Sequence, residues 1–346
     1  MIIHEFGHFI AAKRLGVKVE RFSIGFGRTI LSKRINDTEY CISLIPMGAY
    51  VQVAGENLQE YKNNPDEYLS KTPAQRARII FFGPLLNYIW GFLCFWLIFF
   101  VGYPTLTTKV GGLINGFGAK DAGIQVGDKI IAVDGKRVDS WEDLQTAIQT
   151  KKTGTKVLLS VLRDNKEYNR EVKIKEEQMD DVLGKKYNVG LLGIAPKDEI
   201  IKVRHSFLKS SALATHKTWD LTVLTYKAIW RIITGKLSIR ESISGPVGIF
   251  YITSKVASSG VIAVLHLMAV LSVSLSIFNL LPLPILDGGN LVLLAIERIR
   301  GKQLSPNTER IITQVGLTFI ISLAIFITYN DLLRFFGDRL SRWFIK

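Results

Sequence analysis

Cysteine is scarce in this sequence, with only Cys41 and Cys94 among 346 residues. This excludes a disulfide framework, and neither cysteine has a partner that suggests a thiol site. Cys94 falls in a long apolar run and Cys41 in a predicted cytoplasmic loop, so we predict that both are packing residues. Histidine is also rare, with five residues in the whole chain.

Charged residues are missing from 79–103 and 311–330, and from 256–288 except for one aspartate near its end. A helix needs about 20 apolar residues to cross a bilayer, and a soluble core helix rarely runs that long without a charge. We therefore predict three membrane spans here. Pro282 and Pro284 do not fit a straight helix, so the span at 256–288 is predicted to be broken.

Acidic residues are outnumbered, with 30 Asp and Glu against 44 Lys and Arg, for a net charge of +14. Many of the basic residues crowd beside the apolar stretches. They include Lys13, Arg14, Lys18, Arg21, Arg76, Arg78, Arg298, Arg300, Lys302 and Arg310. By the positive-inside rule, these loops face the cytoplasm. This explains the positive charge without nucleic acid, for which we predict no binding. The long segment after 79–103 then lies on the opposite side of the membrane.

Residues 1–15 are predicted to form a first transmembrane helix that ends at Lys13 and Arg14. Its apolar part has about 12 residues, or about 18 Å of helix, against a hydrocarbon core of about 30 Å. That is too short to cross, and no signal-peptide pattern precedes it. We therefore expect the natural protein to carry further apolar residues before Met1, or its start to be misassigned.

Three other parts of the chain have patterns of their own. Residues 17–55 alternate between apolar and polar, which predicts a small antiparallel sheet associated with the membrane. Residues 56–78 are polar and are predicted to be a cytoplasmic loop. In 206–234 aromatic and aliphatic residues recur at helical spacing between basic ones, which predicts an amphipathic helix lying in the membrane interface.

Residues 106–198 have the composition of a compact soluble unit. Asp134-Gly135 is a hairpin signal, and Ser140 with Asp143 predicts a capping box at the start of a helix. The stretch resembles a PDZ domain in the bacterial, circularly permuted form, whose peptide-binding strand comes last and fits residues 189–196. The resemblance implies that a peptide could add to this strand. A unit that only screens the membrane site by its bulk is the alternative.

His4, Glu5 and His8 form the motif His-Glu-x-x-His. Residues at i and i+4 of a helix lie one turn apart on the same face, so both imidazoles can reach one metal ion. The adjacent Glu5 can take a proton from a water on that metal. Chance would produce this pattern in some chains, but here it lies in an apolar stretch, where ionisable groups are usually functional.

A catalytic zinc site needs a third protein ligand and an open position. His205, His216 and His266 are weaker candidates, because the first two lie in or beside the amphipathic helix and the third is typical of a packed residue. Asp287 is favoured, since it follows the proline-broken segment at membrane depth, where a lone carboxylate needs a partner. The alternative is an aspartate that caps a helix.

Three separated motifs together resemble the site-2 protease family, in its regulator-of-sigma-E protease branch. They are His4-Glu5-x-x-His8, Gly83-Pro84-x-x-Asn87 and Asn279-x-x-Pro282-x-Pro284-x-x-Asp287-Gly288. Ser244-Gly-Pro-Val-Gly and Tyr329-Asn-Asp add to the likeness. The branch differs in two respects, since some of its members have two PDZ units and a histidine where this chain has Asn290.

The resemblance implies a polytopic α-helical membrane protein with a small β-sheet and an inserted PDZ domain. It implies that His4, His8 and Asp287 bind Zn²⁺ and that Glu5 is the general base. It also implies substrate-binding residues, which are Asn279, Pro282, Pro284, Gly25, Phe26, Gly27 and Asn87. Asn87 has the alternative of only packing between helices.

The implied activity is cleavage of transmembrane segments of single-span proteins, such as anti-sigma factors or remnant signal peptides. The implied location is the bacterial inner membrane, with the PDZ domain on the periplasmic or extracellular side. Two alternatives stay open from the residues alone. One is an inactive relative that binds membrane peptides, and the other is a metal transporter that uses the same ligands.

Overall fold

A computed structural model describes residues 1–57, 59–152, 154–180, 186–238, 245–302 and 304–344. Ser244 of the predicted Ser-Gly-Pro-Val-Gly motif lies outside these residues. The chain forms two compact units. The first comprises Met1–Phe95 and Ala214–Lys346, and the second comprises Trp96–Leu213.

The described residues form nine α-helices and twelve strands. The α-helices are α1 (Ile2–Arg14), α2 (Pro73–Val101), α3 (Gly118–Asp121), α4 (Trp141–Gln149), α5 (Phe207–Ile233), α6 (Pro246–Ala257), α7 (Val261–Asn279), α8 (Asp287–Arg300) and α9 (Pro306–Phe344). The strands are β1 (Val19–Ile35), β2 (Thr38–Val53), β3 (Tyr103–Leu106), β4 (Val110–Leu113), β5 (Lys129–Val133), β6 (Lys136–Arg137), β7 (Lys156–Arg163), β8 (Lys166–Lys173), β9 (Lys175–Asp180), β10 (Lys186–Leu191), β11 (Ile194–Pro196) and β12 (Ile200–Val203).

Three helical stretches in the described part of the chain are long and apolar enough to cross a membrane: α2, α7 and Arg310–Arg334 within α9. Helix α2 begins before the charge-free run, because Thr72 and Gln75 close a capping box ahead of Pro73. Helix α7 begins at Val261 and not at residue 256, because Gly260 has a φ of 97° and interrupts the helical conformation there. The 13-residue α1 is shorter than these three.

Strands β1 and β2 are long, and each bends back to form two segments of one antiparallel sheet. Residues 19–24 of β1 pair with 49–53 of β2 on one side and with 39–42 on the other, and 29–35 pair with 38–43. Gly25 and Gly27 supply the bend in β1, with φ values of 91° and 84° that a residue with a Cβ rarely adopts. As a result, 49–53 forms one edge of the sheet.

The second unit has its own core beneath an antiparallel sheet with strand order β6-β5-β7-β8. Ile130, Leu144 and Leu159 are among its fully buried side chains. Ser140 and Asp143 form the predicted capping box at the start of α4. The single strand predicted at 189–196 is wrong: it is split into β10, which pairs with β9, and β11, which pairs with β4. Gly193, with a φ of 81°, makes the break.

Asp128 is a buried acid in this second unit. Arg163 Nε donates to its Oδ1 at 2.6 Å and Nη2 to its Oδ2 at 2.8 Å, while the backbone N–H of Gln125 donates to Oδ2 at 2.8 Å. Burial alone would raise the pKa of Asp128, but these hydrogen bonds outweigh it and hold the pKa below its ordinary value. The pair therefore stabilises the unit only while Asp128 is ionised.

Arg163→Ala is expected to destabilise the second unit strongly, because it leaves the Asp128 carboxylate buried without its cation. Removing one partner of a buried ion pair is destabilising because the other charge is left uncompensated. In the whole protein, amide hydrogen exchange in β5 and β7 should become faster by about 10²- to 10³-fold, since local protection follows local stability. Glu171→Gln is the control, because its pair with Lys156 is 64% and 69% exposed and should contribute little.

The same pair makes stability depend on pH. The folded-state pKa of Asp128 lies below the unfolded value of about 3.9, so its contribution is complete above about pH 4 and is lost as pH falls through the folded-state pKa. Protection of β5 and β7 in the wild type should fall in that acid range, and Arg163→Ala should show less of this dependence. An equal acid dependence in both proteins would contradict the assignment.

Candidate active site

The side chains of His4, His8 and Asp287 meet in the first unit. The Nε2 atoms of the two histidines are 3.2 Å apart. Asp287 Oδ2 lies 3.1 Å from His4 Nε2, and Oδ1 lies 3.7 Å from His8 Nε2. Among the described residues, this is the one group of three histidine, cysteine or acidic side chains whose donor atoms converge closely enough to hold a metal.

Helix geometry and one hydrogen bond orient the two imidazoles. His4 and His8 are four residues apart on α1, so both rings project from the same face. His8 Nδ1–H donates to the backbone carbonyl of Ile79 on α2 at 2.9 Å. A histidine fixed in this way at one nitrogen presents the other to a metal.

The donor set fits zinc. With zinc–ligand bonds of about 2.0–2.1 Å, the ligand atoms of a tetrahedral site lie about 3.3 Å apart, close to the three distances found here. Asp287 Oδ2 is buried and has no hydrogen-bond partner among the described residues. An unsatisfied buried carboxylate oxygen is costly unless a cation completes it, which also speaks against the alternative of a helix-capping aspartate.

The proline-containing segment before Asp287 is held by close backbone packing. A Cβ on Gly288 would overlap the carbonyls of Leu280 and Leu281, and a Cβ on Gly289 would overlap that of Leu283. On α9, Gly316 packs in the same way against Pro284. The segment is thus seated on two helices, and it places Asp287 at the first position of α8, where the helix dipole favours a carboxylate.

A cavity of about 470 Å³ surrounds the donors. Glu5 and Asn279 line it together with the three predicted ligands. Asn279 Nδ2 lies 3.4 Å from each ring nitrogen of His4. Val51 and Val53, on the edge segment of the sheet, also line the cavity, and the backbone N–H of Val51 faces the Glu5 carboxylate.

The other residues predicted to bind substrate lie outside the lining of this cavity. Gly25 and Gly27 form the bend in β1, and Phe26 between them stacks on Tyr50 with ring centroids 6.0 Å apart. Pro282 and Pro284 belong to the seated segment described above. Asn87 is 1% exposed, and its side-chain Nδ2 has no partner among the described residues.

The three remaining histidines take no part in the donor set. His216 Nδ1 lies 2.8 Å from Asp220 on the exposed face of α5. His266 packs edge-on against Phe95 inside the first unit. In the second unit, the backbone N–H of His205 donates to the carbonyl of Phe99. None of the three belongs to the group of converging donors found among the described residues.

Several residues at the site were not predicted from the sequence. Gly83 on α2 lies against the imidazoles, since a Cβ there would overlap Cε1 and Nε2 of His8 and lie 3.0 Å from Cε1 of His4. The quoted Gly-Pro-x-x-Asn motif contained this glycine but gave no reason for it. Arg76 and Glu297, which also line the cavity, had no signal beyond their charge.

Gly83→Ala is expected to weaken zinc binding by at least about 10- to 100-fold, the usual effect of disturbing groups that orient metal ligands. The added methyl group would push the His8 ring away from the other donors. Competition with a chelator on the purified protein measures the affinity. Gly91→Ala is the matched control on the same helix, because its Cβ would press on Val273 of α7 and not on an imidazole. An equal loss in both variants would point to general helix packing.

The site as built fits one class of protein: a metalloprotease with two histidines and a glutamate on one helix and an aspartate whose carboxylate meets both imidazoles. The model of peptidase family M50, the site-2 protease family, matches residues 1–323. This chain belongs to that family, and it is a zinc metalloprotease.

Curated relatives extend over almost the whole chain. The regulator of sigma E protease of Haemophilus influenzae is 28% identical, with 96% of each chain covered. Zinc metalloprotease RasP of Geobacillus kaustophilus is 29% identical over 97% of this chain and 96% of its own. A Rickettsia conorii protein named as a zinc metalloprotease is 33% identical, with 97% and 96% covered.

Solved structures of PDZ domains are also similar to part of the chain. The PDZ domain of the SdrC-like protein from Listeria innocua covers 27% of this chain and 96% of its own, with 22% identity and a TM-score of 0.22.

Proposed function

We propose that this zinc metalloprotease cleaves peptide bonds inside the transmembrane segments of single-span membrane proteins. One observation carries the proposal: the predicted metal ligands, the predicted base and an open sheet edge line one cavity, in a unit that contains helices apolar enough to cross a bilayer. A protease site beside the edge of a sheet suits a helical transmembrane substrate, because the helix must be unwound into an extended segment before it is cut.

The sheet edge addresses the main obstacle to such a reaction. A transmembrane helix hides its carbonyl groups in its own hydrogen bonds, so water cannot attack them until the segment is extended. Residues 49–53 pair on one side with 19–24 and have no strand on the other side among the described residues. An unwound substrate could add there as a further strand and regain hydrogen bonds, with Val51 and Val53 placing it beside Glu5.

The residues of the cavity then have distinct roles. Zinc, when bound by His4, His8 and Asp287, supplies a Lewis acid and makes water a stronger nucleophile at neutral pH. Glu5 takes one proton from the attacking water and passes it to the leaving amine nitrogen as the C–N bond breaks. The side-chain amide of Asn279, close to His4, can donate to the oxygen that becomes negative on the substrate carbonyl.

We extend the proposal to location and substrates. The family resemblance implies a bacterial inner membrane protein, and the basic residues beside the apolar stretches favour loops that face the cytoplasm. The second unit would then lie on the periplasmic or extracellular side. Anti-sigma factors or remnant signal peptides are the proposed substrates, and the name of the Haemophilus influenzae relative, regulator of sigma E protease, supports the first of these.

The second unit is proposed to act as a PDZ domain toward such substrates. Strand β11 pairs on one side with β4 and with no other strand among the described residues. A peptide could therefore add to its free edge. If the unit only screened the site by bulk, substitutions along this edge would leave cleavage of a membrane substrate unchanged.

Reconstitution into liposomes with a single-span test substrate tests the proposal. We expect mass spectrometry to find the new termini within the apolar segment, with cleavage stopped by a chelator and restored by zinc. A substrate whose segment carries helix-weakening glycines should be cut faster than one made of leucine. Cleavage restricted to the soluble flanks would contradict the proposal.

Two other functions predict different results in the same liposomes. An inactive peptide-binding relative would bind the substrate without producing fragments. A metal transporter would carry zinc across the bilayer and cut nothing. Membership of a metalloprotease family and the single base beside two histidines favour hydrolysis.

A further inference from the structure

Arg76 and Glu297 line the catalytic cavity and form an ion pair with each other. Their side chains are only 6% and 13% exposed, and Arg76 Nη2 donates to Glu297 Oε1. Arg76 Nε also donates to the carbonyl of Lys71 at 3.2 Å, and the guanidinium lies 5.9 Å from the ring centroid of Tyr68. The pair joins residues 221 positions apart in sequence.

The two partners lie on the helices that support the metal donors. Asp287 begins α8 and Glu297 lies ten residues later, about 15 Å along the same helix. Asp287, Asn290, Leu294 and Glu297 all line the cavity, at spacings of three and four residues that place them on one face. The ion pair therefore holds the far end of the helix whose first residue is the proposed acidic ligand.

Helix α2 supports the other two donors. Arg76 is in its first turn, the carbonyl of Ile79 accepts from His8 Nδ1, and Gly83 lies beneath the imidazoles. The histidines are thus fixed against α2 directly, while α8 is fixed against α2 by the ion pair. Because both sets of donors depend on one helix, the spacing of α8 from α2 sets the distance between Asp287 and the imidazoles.

Stability alone gives a poor reason for such a pair. Burying two charges costs about as much as their attraction returns, and an apolar pair of similar volume often stabilises a protein as well or better. What a buried, multiply bonded Arg–Glu pair supplies is a fixed geometry. A metal centre needs that, since ligands must be held within about 0.5 Å of their places.

We propose that Arg76 and Glu297 are positioning residues of the metal centre, which hold α8 so that Asp287 meets His4 and His8. The inference rests on the proposed assignment of these three residues as zinc ligands. Neither Arg76 nor Glu297 contacts the metal, so their effect should appear in zinc affinity and coordination geometry before it appears in the chemistry of the cut.

The test measures zinc affinity by chelator competition, and coordination geometry by the visible absorption of the Co²⁺-substituted protein. Glu297→Ala and Arg76→Ala should each weaken zinc binding by about 10- to 100-fold, as for other residues that orient ligands, and should change the cobalt spectrum. Glu297→Gln, which keeps the size of the side chain but removes its charge, should weaken zinc binding in the same direction and covers the case in which the alanine variant does not fold. Exchanging the charges, as Arg76→Glu with Glu297→Arg, should recover part of the affinity.

Arg21 and Glu39 provide a matched control. This pair also has two hydrogen bonds, but it lies on the sheet and is 38% and 31% exposed. Glu39→Gln should leave zinc affinity and the cobalt spectrum unchanged. Folded Glu297 variants with wild-type affinity and spectrum would overturn the inference.

The Asp287→Ala variant distinguishes an error in the ligand assignment from an error in the positioning role of the ion pair. If that variant keeps full zinc affinity, the ligand assignment is wrong. If it loses zinc while the Glu297 variants do not, the ligands stand and only the positioning role of the ion pair is refuted.

Discussion

Glu5→Gln is expected to reduce cleavage of a membrane substrate by about 10²- to 10⁴-fold, the range that a positioned general base contributes. The amide keeps the shape of the side chain but cannot accept the proton of the attacking water. Because Glu5 is not among the three proposed ligands, zinc should stay bound with little change in affinity. Cleavage rates in liposomes and chelator competition measure the two effects separately.

Asp220→Asn is a suitable control for the loss of one carboxylate. Asp220 lies on the exposed face of α5 beside His216, and its replacement should change neither cleavage nor zinc affinity. Full activity in Glu5→Gln would refute the role of Glu5 as the base. The fragments would then come from a contaminating protease, and the alternative of an inactive relative would be favoured. Loss of zinc in that variant would place Glu5 among the ligands.

The convergence of His4, His8 and Asp287 could be predicted from the sequence because each residue carries a local signal. His4 and His8 are one helical turn apart, and any helix brings them together. Asp287 was predicted for a different reason, since two prolines before it break a span and leave a carboxylate at membrane depth without a partner. The structure places it within 3.7 Å of both imidazoles.

What could not be predicted depends on contacts between distant segments. Gly83 is a common residue in membrane helices, and only the packing of α1 on α2 shows that a methyl group there would strike His8. The pairing of Arg76 with Glu297 gave no sequence signal, since many cations and acids lie near the predicted spans. The fold-back of β1 at Gly25 and Gly27, which creates the open edge at Val51, also depends on non-local pairing.

The division of 189–196 into two strands could not be predicted from the sequence. The resemblance to a PDZ domain led us to expect one continuous peptide-binding strand there. Gly193 instead adopts a φ of 81°, and its lack of a side chain lets Phe117 pack against the backbone there. A glycine inside a strand pattern is compatible with such a break, but the pattern alone does not decide it.

Asp287→Ala is expected to abolish activity by removing the metal, not the base. With two imidazoles left, zinc affinity should fall by more than the 10- to 100-fold typical of residues that only orient ligands, and excess zinc should restore little cleavage. Since the carboxylate and Glu5 would act in one unit, Asp287→Ala combined with Glu5→Gln should be scarcely worse than the single variant.

Asp287→Glu keeps the carboxylate but moves its oxygens by about one C–C bond, so we expect it to bind zinc more tightly than the alanine variant and to remain far less active than wild type. The comparison distinguishes a metal ligand from a residue that only holds the proline-containing segment in place. In the second case, both Asp287→Ala and Asp287→Glu should act by lowering the stability of the fold. Retained zinc and activity in Asp287→Ala would exclude the three-ligand site, because no other described carboxylate, histidine or cysteine approaches the two imidazoles closely enough to replace it.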